Sequence, residues 1–359
     1  MGRWQGTLED MALDAAFWRG RRVLLTGHTG FKGTWLALWL EGLGATVTGF
    51  AHEPDTAPSL FRLVAPRLAS VIGDLGDRAA VARVVAESRP EIVIHMAAQA
   101  LVRRSYADPL GTFASNVTGT AHLLDTLRAA PDLRAVLVVT SDKVYLNRDQ
   151  GADFREDDAL GGADPYSASK SAAEMVVAAW AQSFFAGGPV RIGTARAGNV
   201  IGGGDWAADR VVPDAWRAVM KGDALLLRYP ESTRPWQHVL DSLNGYLVYA
   251  QALAAGGVLP AALNFGPDPG RTASVAALAE ALLAAWGGLP WRPDAAPSPP
   301  EKKRLSLDPS LATATLGWRT RLPLDRTIAW TAEWYAAFRA GAAARELCLR
   351  QIGAFQALG

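Results

Sequence analysis

The amino-acid sequence predicts an α/β protein built on a doubly wound parallel sheet, with a smaller C-terminal substrate-binding part. Short runs rich in Val, Ile and Leu alternate with longer runs in which apolar residues recur at helical spacing. The short runs lack the apolar–polar alternation of a half-exposed strand, so they suit a sheet covered on both faces. Strands and helices that take turns along a chain imply right-handed crossovers between parallel strands.

Six runs are predicted to be strands of this sheet. Between them lie helical patterns, such as residues 33–44 and 82–90, with Gly or Pro at their ends. Beyond Gly198 the pattern becomes irregular and includes a proline-rich segment at 287–304. The predicted strands cover residues 22–27, 46–50, 69–74, 91–97, 135–141 and 190–198.

The composition argues against several classes of protein. The formal net charge is +1 and the basic residues are scattered, so neither nucleic acid nor an acidic membrane surface is expected as the main partner. Cys348 is the single cysteine, which excludes an intramolecular disulfide framework and a Cys-based zinc site, and we expect no metal. Residues 1–20 contain acidic side chains where a signal peptide needs an apolar core, and no later run is long enough to span a membrane. We therefore expect a soluble cytoplasmic enzyme.

The first predicted strand runs directly into the turn "GHTGFKG" at residues 27–33. Gly27, Gly30 and Gly33 allow the tight backbone and close phosphate approach of a dinucleotide site, and the N-terminus of the next helix offers N–H groups to a pyrophosphate. A glycine-rich turn without a ligand is the plain alternative, which the strand before it and the helix after it disfavour. His28, Phe31 and Lys32 of the same turn are further candidates for cofactor contact.

Acidic residues after the second and third strands could contact the adenosine part of such a cofactor. Glu53 lies near the position of the ribose-binding acid but falls beyond the end of its strand. Asp74, at the end of the third strand, could bind the adenine amino group or instead cap the next helix.

The segment "YSASK" places Tyr166 and Lys170 four residues apart on a predicted helix. Asp164 is its expected cap and Pro165 its expected first residue. Residues at i and i+4 share a face, so the ammonium group favours the phenolate and makes Tyr166 a candidate general base. An incidental pair on an exposed helix is the alternative.

The segment "TSDKVY" at residues 140–145 follows a buried strand directly. Because the carboxyl ends of strands face the ligand crevice in this architecture, a merely solvated strand end is a poor explanation for Ser141, Asp142 and Lys143.

Seven segments together resemble the extended short-chain dehydrogenases/reductases that act on nucleotide sugars, and among them the cytidine-linked 4,6-dehydratases. The resemblance extends from about residue 20 to about residue 335. It implies a Rossmann-type fold, NAD as cofactor, CDP-glucose as substrate and a 4-keto-6-deoxy sugar as product. The segments are "TGHTGFKGTWL", "HMAAQALVRRSY", "TSDKVY", "DPYSASKSAAE", "RAGNVIGGGDWAADRVVPD", "RPWQHV" and "LNFGP".

The resemblance also implies roles for the strand-end residues. The related dTDP-glucose dehydratases carry Thr-Asp-Glu where this chain has Ser141, Asp142 and Lys143. Asp142 is then the general acid at the sugar O6 atom. Lys143 replaces the glutamate that removes the C5 proton, so it is either that base or an electrostatic support.

Further roles follow from the same resemblance. Asn116 matches an asparagine that organises water or the catalytic lysine, with an ordinary helix residue as the alternative. The segment "HMAAQ" contributes Ala97 and Ala98 to the cofactor site and Gln99 to the substrate site. The residues implied to hold the nucleotide diphosphate are Arg103, Asn199, Arg210 and Arg234, since guanidinium groups match phosphate oxygens.

The implied organisation is an N-terminal extension (1–20), an NAD-binding Rossmann domain (21–198) and a mainly nucleotide-sugar-binding domain (199–359) with segments that return to the first. A homodimer through the helices bearing Asn116 and Tyr166, and a place in deoxysugar biosynthesis for lipopolysaccharide, are family-based expectations.

Two other functions stay open at this point. A nucleotide-sugar 4-epimerase would share the fold, the cofactor and the Tyr–Lys pair but has no use for an acid at O6. A non-catalytic protein that senses dinucleotides is disfavoured by the presence of both Tyr166 and Lys170.

Overall fold

The computed structural model describes residues 12–149, 151, 153–296 and 302–358. Most of the expected 1–20 extension therefore lies outside the described residues. The strands, in chain order, are β1 (Arg22–Thr26), β2 (Thr46–Ala51), β3 (Ala69–Ile72), β4 (Ile92–His95), β5 (Ala135–Val139), β6 (Arg191–Ala197), β7 (Val200–Ile201), β8 (Ala224–Leu227), β9 (Thr233–Arg234), β10 (Gln237–His238), β11 (Ala262–Phe265), β12 (Ala273–Ser274) and β13 (Leu289–Pro293).

Helices connect these strands throughout the described ranges. They are α1 (Ala15–Trp18), α2 (Phe31–Gly42), α3 (Leu60–Val64), α4 (Arg78–Ser88), α5 (Val102–Ala107), α6 (Pro109–Phe113), α7 (Gly119–Leu127), α8 (Pro165–Trp180), α9 (Val211–Lys221), α10 (Val239–Ala254), α11 (Val275–Trp286), α12 (Ser310–Leu316), α13 (Leu324–Arg339) and α14 (Ala344–Gln356). In this part of the chain none of them is long and apolar enough to cross a membrane.

A seven-stranded parallel sheet forms the centre of the described structure, in the order β11-β6-β5-β4-β1-β2-β3. The predicted doubly wound fold is confirmed, and each of the six predicted strands is present. Several predicted runs reach one or two residues further than the strands, because their last residues already belong to the connection that follows. The seventh strand, β11, was missed, since its four residues lie in the irregular half of the sequence.

The register brings the carboxyl ends of the central strands to one level. Thr26 of β1 is paired with His95 of β4, and His95 is paired with Val138 of β5. The residues that follow these positions therefore emerge at the same edge of the sheet. They are the glycine turn, the "MAAQ" segment and the "TSDK" segment.

Two hydrophobic cores cover the two faces of the sheet. One core includes Val81 and Val84 of α4 and Leu124 of α7. The other contains the buried side of α2 together with α10, and it continues into the C-terminal helices. Both faces being covered explains why the strands read as unbroken apolar runs.

The chain beyond Gly198 contributes to both parts of the molecule. Strand β11 pairs with β6 and so belongs to the sheet, and α10 packs against β5 and β6 on one face of it. The short sheets β10-β7, β12-β9 and β13-β8, together with α9, α11 and α13, lie beside it. The domain boundaries themselves stay a prediction.

Candidate active site

A cleft of about 790 Å³ lies at the carboxyl edge of the sheet and is closed on its other side by residues 198–236. Most of the residues singled out in the sequence line it. From the cofactor prediction these are Gly27, Gly30, Phe31, Lys32, Gly33, Asp74, Ala97 and Ala98, and from the catalytic and substrate predictions Gln99, Ser141, Asp142, Lys143, Tyr166, Lys170, Asn199, Arg210 and Arg234. His28, Arg103 and Asn116 do not line the cleft.

The glycine turn is held closely against its surroundings. Gly27 adopts a left-handed φ of +77°, and a Cβ atom there would lie 2.7 Å from the backbone nitrogen of Ala97. A Cβ atom at Gly33 would overlap the carbonyl oxygen of Gly27. Gly30, the N-cap residue of α2, has room on its free side, with Gly27 O the nearest atom at 3.5 Å. The first and third glycines are thus required by the fold, whereas Gly30 leaves an open surface.

His28 points away from the cleft. Its ring is fully buried, with Nε2 2.8 Å from Ser70 Oγ and an edge-to-face contact with Phe61. Burial lowers the pKa of His28 to about 4, so the ring is neutral at pH 7. The side chain therefore supports the turn from beneath.

The rim beyond β2 and β3 carries the acidic residues considered for the adenosine part. Asp74 Oδ1 accepts a hydrogen bond from Gly76 N, and Oδ2 lies 3.3 Å from His52 Nε2. Asp77, not Asp74, caps α4, so the alternative role of Asp74 as that cap is wrong. Glu53 is exposed and paired with Arg62.

Asn116 holds the loop after β4 against α8. It lies in a π-helical turn (Ala114–Thr118), where Nδ2 donates to Gln99 O at 3.0 Å and to Ser169 Oγ at 2.9 Å, and Oδ1 accepts from Gln99 N. Gln99 in turn directs its own amide group to Leu101 and Thr112. Both polar side chains thus fasten the loop to the neighbouring helices.

Tyr166 and Lys170 lie on α8, which begins as predicted. Pro165 is its first residue, and Asp164 Oδ1 accepts from Ser167 N, so the expected cap is confirmed. Both site residues are buried at the cleft wall. Lys170 Nζ donates to the carbonyl oxygen of Val139 at 3.2 Å, which attaches the helix to the end of β5.

Burial dominates the electrostatics of this pair. It raises the pKa of Tyr166 to about 12, and a hydrogen bond with Ser141 opposes the rise. It lowers the pKa of Lys170 to about 8, against the opposing charge of Glu174. The phenol pKa is therefore shifted upward and not toward neutrality, because removal from water outweighs the opposing effects of Ser141 and of the Arg210 charge.

Asp142 has a free carboxyl oxygen at the strand end. The residue starts a 3₁₀ turn (Asp142–Val144), and its Oδ1 atom accepts from Ser141 Oγ at 3.0 Å. The other oxygen, Oδ2, is buried and has no hydrogen-bond partner among the described residues. Since buried oxygens are normally paired, this atom is suited to a ligand hydroxyl group. Lys143 lies beside it and also lines the cleft.

Lys32 brings a second buried amine into the cleft. Its Nζ atom donates to Tyr246 OH at 2.8 Å and lies 4.8 Å from the centre of that ring. Burial lowers the pKa of Lys32 to about 7, with the charges of Lys170 and Arg210 acting in the same direction. Tyr246 was missed in the sequence because it sits within the apolar run of α10, where no motif marks it.

The predicted phosphate-binding arginines divide into two groups. Arg210 and Arg234 line the cleft, and Arg210 is paired with Asp205 at 2.9 Å. Arg234 Nη1 donates to the carbonyl oxygen of Thr233 at 2.8 Å. Arg103, which does not line the cleft, is paired with Asp209.

Trp206 is a further residue of the cleft lining that the sequence did not single out. It lies in one of the seven segments that carry the resemblance, four residues before Arg210. Its position in that segment was the available signal.

This arrangement combines a dinucleotide-type turn, a tyrosine–lysine pair and a buried acid around one cleft. In the described ranges no group of three or more His, Cys, Asp or Glu side chains could hold a metal ion. The chemistry supported by these residues is acid–base chemistry beside a bound nucleotide.

Comparison with known proteins places the chain in a family. Residues 23–266 match the NAD dependent epimerase/dehydratase family, and the chain belongs to it. A CDP-glucose 4,6-dehydratase of Salmonella typhimurium is 44% identical over 338 residues, which cover 92% of this chain and 94% of that protein. A dTDP-glucose 4,6-dehydratase of Xanthomonas campestris is 28% identical and covers 87% of this chain and 92% of its own.

Solved structures of the same kind share the fold. A dTDP-glucose 4,6-dehydratase from Streptomyces venezuelae with NAD bound has a TM-score of 0.76 and 25% identity, covering 89% of this chain and 98% of its own. The UDP-glucose 4-epimerase of Thermus thermophilus, in complex with NAD, has a TM-score of 0.76 and 26% identity, covering 89% and 100%. Dehydratases and epimerases thus fit the fold equally well, so the fold does not separate them, whereas the relative at 44% identity is a dehydratase.

Proposed function

Because the chain belongs to the NAD-dependent epimerase/dehydratase family, we propose that it removes water from CDP-glucose to give CDP-4-keto-6-deoxyglucose. The observation that carries the choice of dehydration is the buried Oδ2 atom of Asp142, an acid at the strand end beside Tyr166. The choice of CDP-glucose rests on the 44% identity over 92% of the chain.

The cradle formed by the glycine turn fits NAD. Gly30 leaves its free side open at the start of α2, where helix N–H groups can meet a pyrophosphate. Phe31, Ala97, Ala98 and Asp74 also line the cleft, and Asp74 would face the adenosine part of the cofactor. Bound NAD supplies the oxidant that takes a hydride from the sugar C4 atom and returns it to C6.

Tyr166 and Lys170 serve the oxidation of C4. Tyr166 removes the proton of the C4 hydroxyl group, and the Lys170 ammonium favours the phenolate that this step needs. Ser141 hydrogen-bonds the phenol and keeps it in position. The resulting 4-keto group acidifies the C5 proton.

Asp142 and Lys143 serve the elimination. Asp142 gives a proton to the departing C6 hydroxyl group, while Lys143 takes the proton from C5. The Lys143→Met variant should still oxidise the sugar at C4, but the C5 hydrogen should scarcely exchange with deuterated solvent. Normal C5 exchange in that variant would leave Lys143 with an electrostatic role only.

The arginines suit the diphosphate. Arg210 and Arg234 line the cleft, and each can direct N–H groups to phosphate oxygens. Arg103 does not line the cleft but is paired with Asp209, which does.

The decisive experiment mixes the protein with NAD and CDP-glucose and follows the alkali-induced ultraviolet absorbance of a 4-keto-6-deoxy product. CDP-glucose should give a far higher kcat/KM than UDP-glucose or dTDP-glucose, because a mismatched base leaves buried polar groups unpaired. Formation of a 4-epimer without this absorbance would instead identify an epimerase.

We also propose a homodimer and a cytoplasmic setting. Large apolar side chains are exposed on and beside α6 and α8, with Leu110 83% and Met175 58% exposed, and a second copy could cover them. Light scattering should give twice the mass of the chain, and Met175→Glu should lower the measured mass.

The cellular setting is a separate proposal. Cys348 is free and buried, which fits a reducing compartment. The product would enter deoxysugar biosynthesis.

A further inference from the structure

Glu174 lies on the same face of α8 as Tyr166 and Lys170 but reaches away from the cleft. Its carboxylate is buried and accepts four hydrogen bonds. Thr140 Oγ1 donates to Oε1 at 2.5 Å, and Thr194 Oγ1 donates to Oε2 at 2.8 Å. Arg196 donates from Nε to Oε1 at 3.0 Å and from Nη2 to Oε2 at 2.9 Å. A fully paired buried carboxylate of this kind has a fixed orientation.

The residues at the two ends of the segment that carries the acid contact Glu174 and Arg196. Thr140 is its first residue and is held by Glu174. Tyr145 is its last residue, and its hydroxyl oxygen accepts from Arg196 Nη1 at 2.9 Å. Glu174 and Arg196 are paired with each other, so both ends of the 140–145 segment are attached to one ion pair. Asp142 and Lys143 lie between the two attachment points.

The helix is attached to the same place by a second bond. Lys170, one turn before Glu174, donates to the carbonyl oxygen of Val139, the residue before Thr140. Consecutive residues of the chain at the end of β5 are therefore bound by consecutive turns of α8. The position of Asp142 relative to Tyr166 depends on these contacts, since the two side chains come from different elements.

We propose that Glu174 and Arg196 are positioning residues that clamp the 140–145 segment and so hold Asp142 and Lys143 in place for the elimination step. The proposal rests on the dehydratase function given above. Neither residue lines the cleft, and both act through the segment they hold. A purely stabilising ion pair is the competing explanation.

Two matched variants separate these explanations. Removing the Glu174 carboxylate would leave Arg196 buried without its counter-ion and could unfold the protein. Thr140→Val and Thr194→Val each remove a single hydrogen bond to Glu174 at nearly constant shape. The hydroxyl of Thr140 belongs to the segment, whereas that of Thr194 belongs to the middle of β6. Tyr145→Phe removes the hydrogen bond from Arg196 at the other end, together with the one that this hydroxyl group donates to Asn264.

The first measurement is independent of activity. Amide hydrogen exchange of residues 141–145 in the full chain should become at least about tenfold faster in Thr140→Val and Tyr145→Phe, and should change less than about threefold in Thr194→Val. Equal exchange in Thr140→Val and Thr194→Val would overturn the clamp, whatever the substrate of the protein proves to be.

The second measurement uses NAD and CDP-glucose. Thr140→Val should lower kcat for product formation by about 10- to 100-fold, with KM changed less than about threefold. NADH should accumulate in the absorbance trace, because oxidation at C4 continues while the elimination that follows it is slowed. Thr194→Val should show neither effect. Equal losses in both variants without NADH would overturn a positioning role. A wild-type protein inactive on CDP-glucose would refute the proposed substrate, while the exchange measurement would still decide the clamp.

Discussion

The two halves of the site are built in different ways. At the β1–α2 turn, backbone atoms form the surface, and a side chain at Gly27 or Gly33 would collide with other backbone atoms. At the β5–α8 edge, side chains form the surface, and Ser141, Asp142, Tyr166 and Lys170 present the polar groups. The turn can bind a ligand because it has no side chains in the way, whereas the β5–α8 edge acts through the polar groups of its side chains.

This difference predicts opposite kinds of sensitivity. The turn should fail when atoms are added, and its failure should appear in folding and cofactor affinity. The β5–α8 edge should fail when single polar atoms are removed, with the fold intact and the rate reduced. The largest expected effects come from the turn.

Gly33→Ala should be the most damaging small change. The added methyl group overlaps the carbonyl oxygen of Gly27, a backbone atom that cannot move aside without shifting the turn. We expect a loss of about 3 kcal/mol or more in the free energy of unfolding, measured by urea titration, and no detectable NAD binding by calorimetry.

Gly30→Ala is the matched control within the same turn. A Cβ atom there meets its nearest neighbour at 3.5 Å, so stability should change little while NAD affinity falls. A stable Gly33→Ala variant with normal NAD affinity would contradict the idea that the turn is limited by space.

Tyr166→Phe should reduce the rate with little effect on stability. The variant keeps the buried ring and removes only the hydroxyl group that hydrogen-bonds Ser141. Loss of a general base typically costs about 10²–10⁴-fold in kcat. Because C4 oxidation comes first, no NADH should accumulate in stopped-flow absorbance. Appreciable NADH formation in this variant would remove Tyr166 from the base role.

Asp142→Asn should block a later step of the same reaction. The amide cannot donate a proton to the leaving hydroxyl group, so product formation should fall about 10²–10³-fold while C4 oxidation continues. Accumulated NADH together with a 4-keto sugar, seen by absorbance and mass spectrometry, would distinguish it from Tyr166→Phe. If both variants stop before NADH forms, the division of labour proposed for the edge is wrong.

The same contrast explains what the sequence could predict. The glycine turn, the strand before it and the "YSASK" helix are local features, because each depends on residues close together in the chain. Asp164 as the cap of α8 belongs to this class and was predicted correctly. The carboxyl-edge location of Ser141 and Asp142 also followed, since parallel strands end at the same edge.

Features that depend on burial or on distant pairing were not predicted. Strand β11 has four residues, and its place beside β6 is fixed by pairing with residues far earlier in the chain. Tyr246 and Glu174 look like ordinary helix residues until their partners Lys32 and Arg196 are known. The direction of the Tyr166 pKa was misjudged for the same reason, since spacing indicates a nearby lysine but not the loss of water around the phenol.

Lys32 connects the two halves and gives the smallest effect, one of stability. It belongs to the turn, yet its amine reaches the catalytic side and bonds Tyr246. Burial lowers its pKa from an ordinary 10.5 to about 7, so between these values the unfolded chain binds one more proton than the folded protein. The contribution of Lys32 to the free energy of unfolding therefore rises as the pH increases above about 7, and it is lowest below pH 7.

Lys32→Met removes this dependence and should stabilise the protein more at pH 6 than at pH 9. The difference between the two gains should be about 2–3 kcal/mol, because folding of the wild type becomes about 100-fold more favourable through this group between pH 6 and pH 9, and each factor of ten corresponds to about 1.4 kcal/mol. Other titrating groups, such as His28 and Asp241, are present in both proteins and largely cancel in the comparison. Urea titrations of both proteins at the two pH values measure the difference. An equal gain in the free energy of unfolding at both pH values would mean that Lys32 stays charged in the folded protein. Polar groups of the β5–α8 edge would then stabilise its ammonium group, and the turn and the edge would be electrostatically coupled.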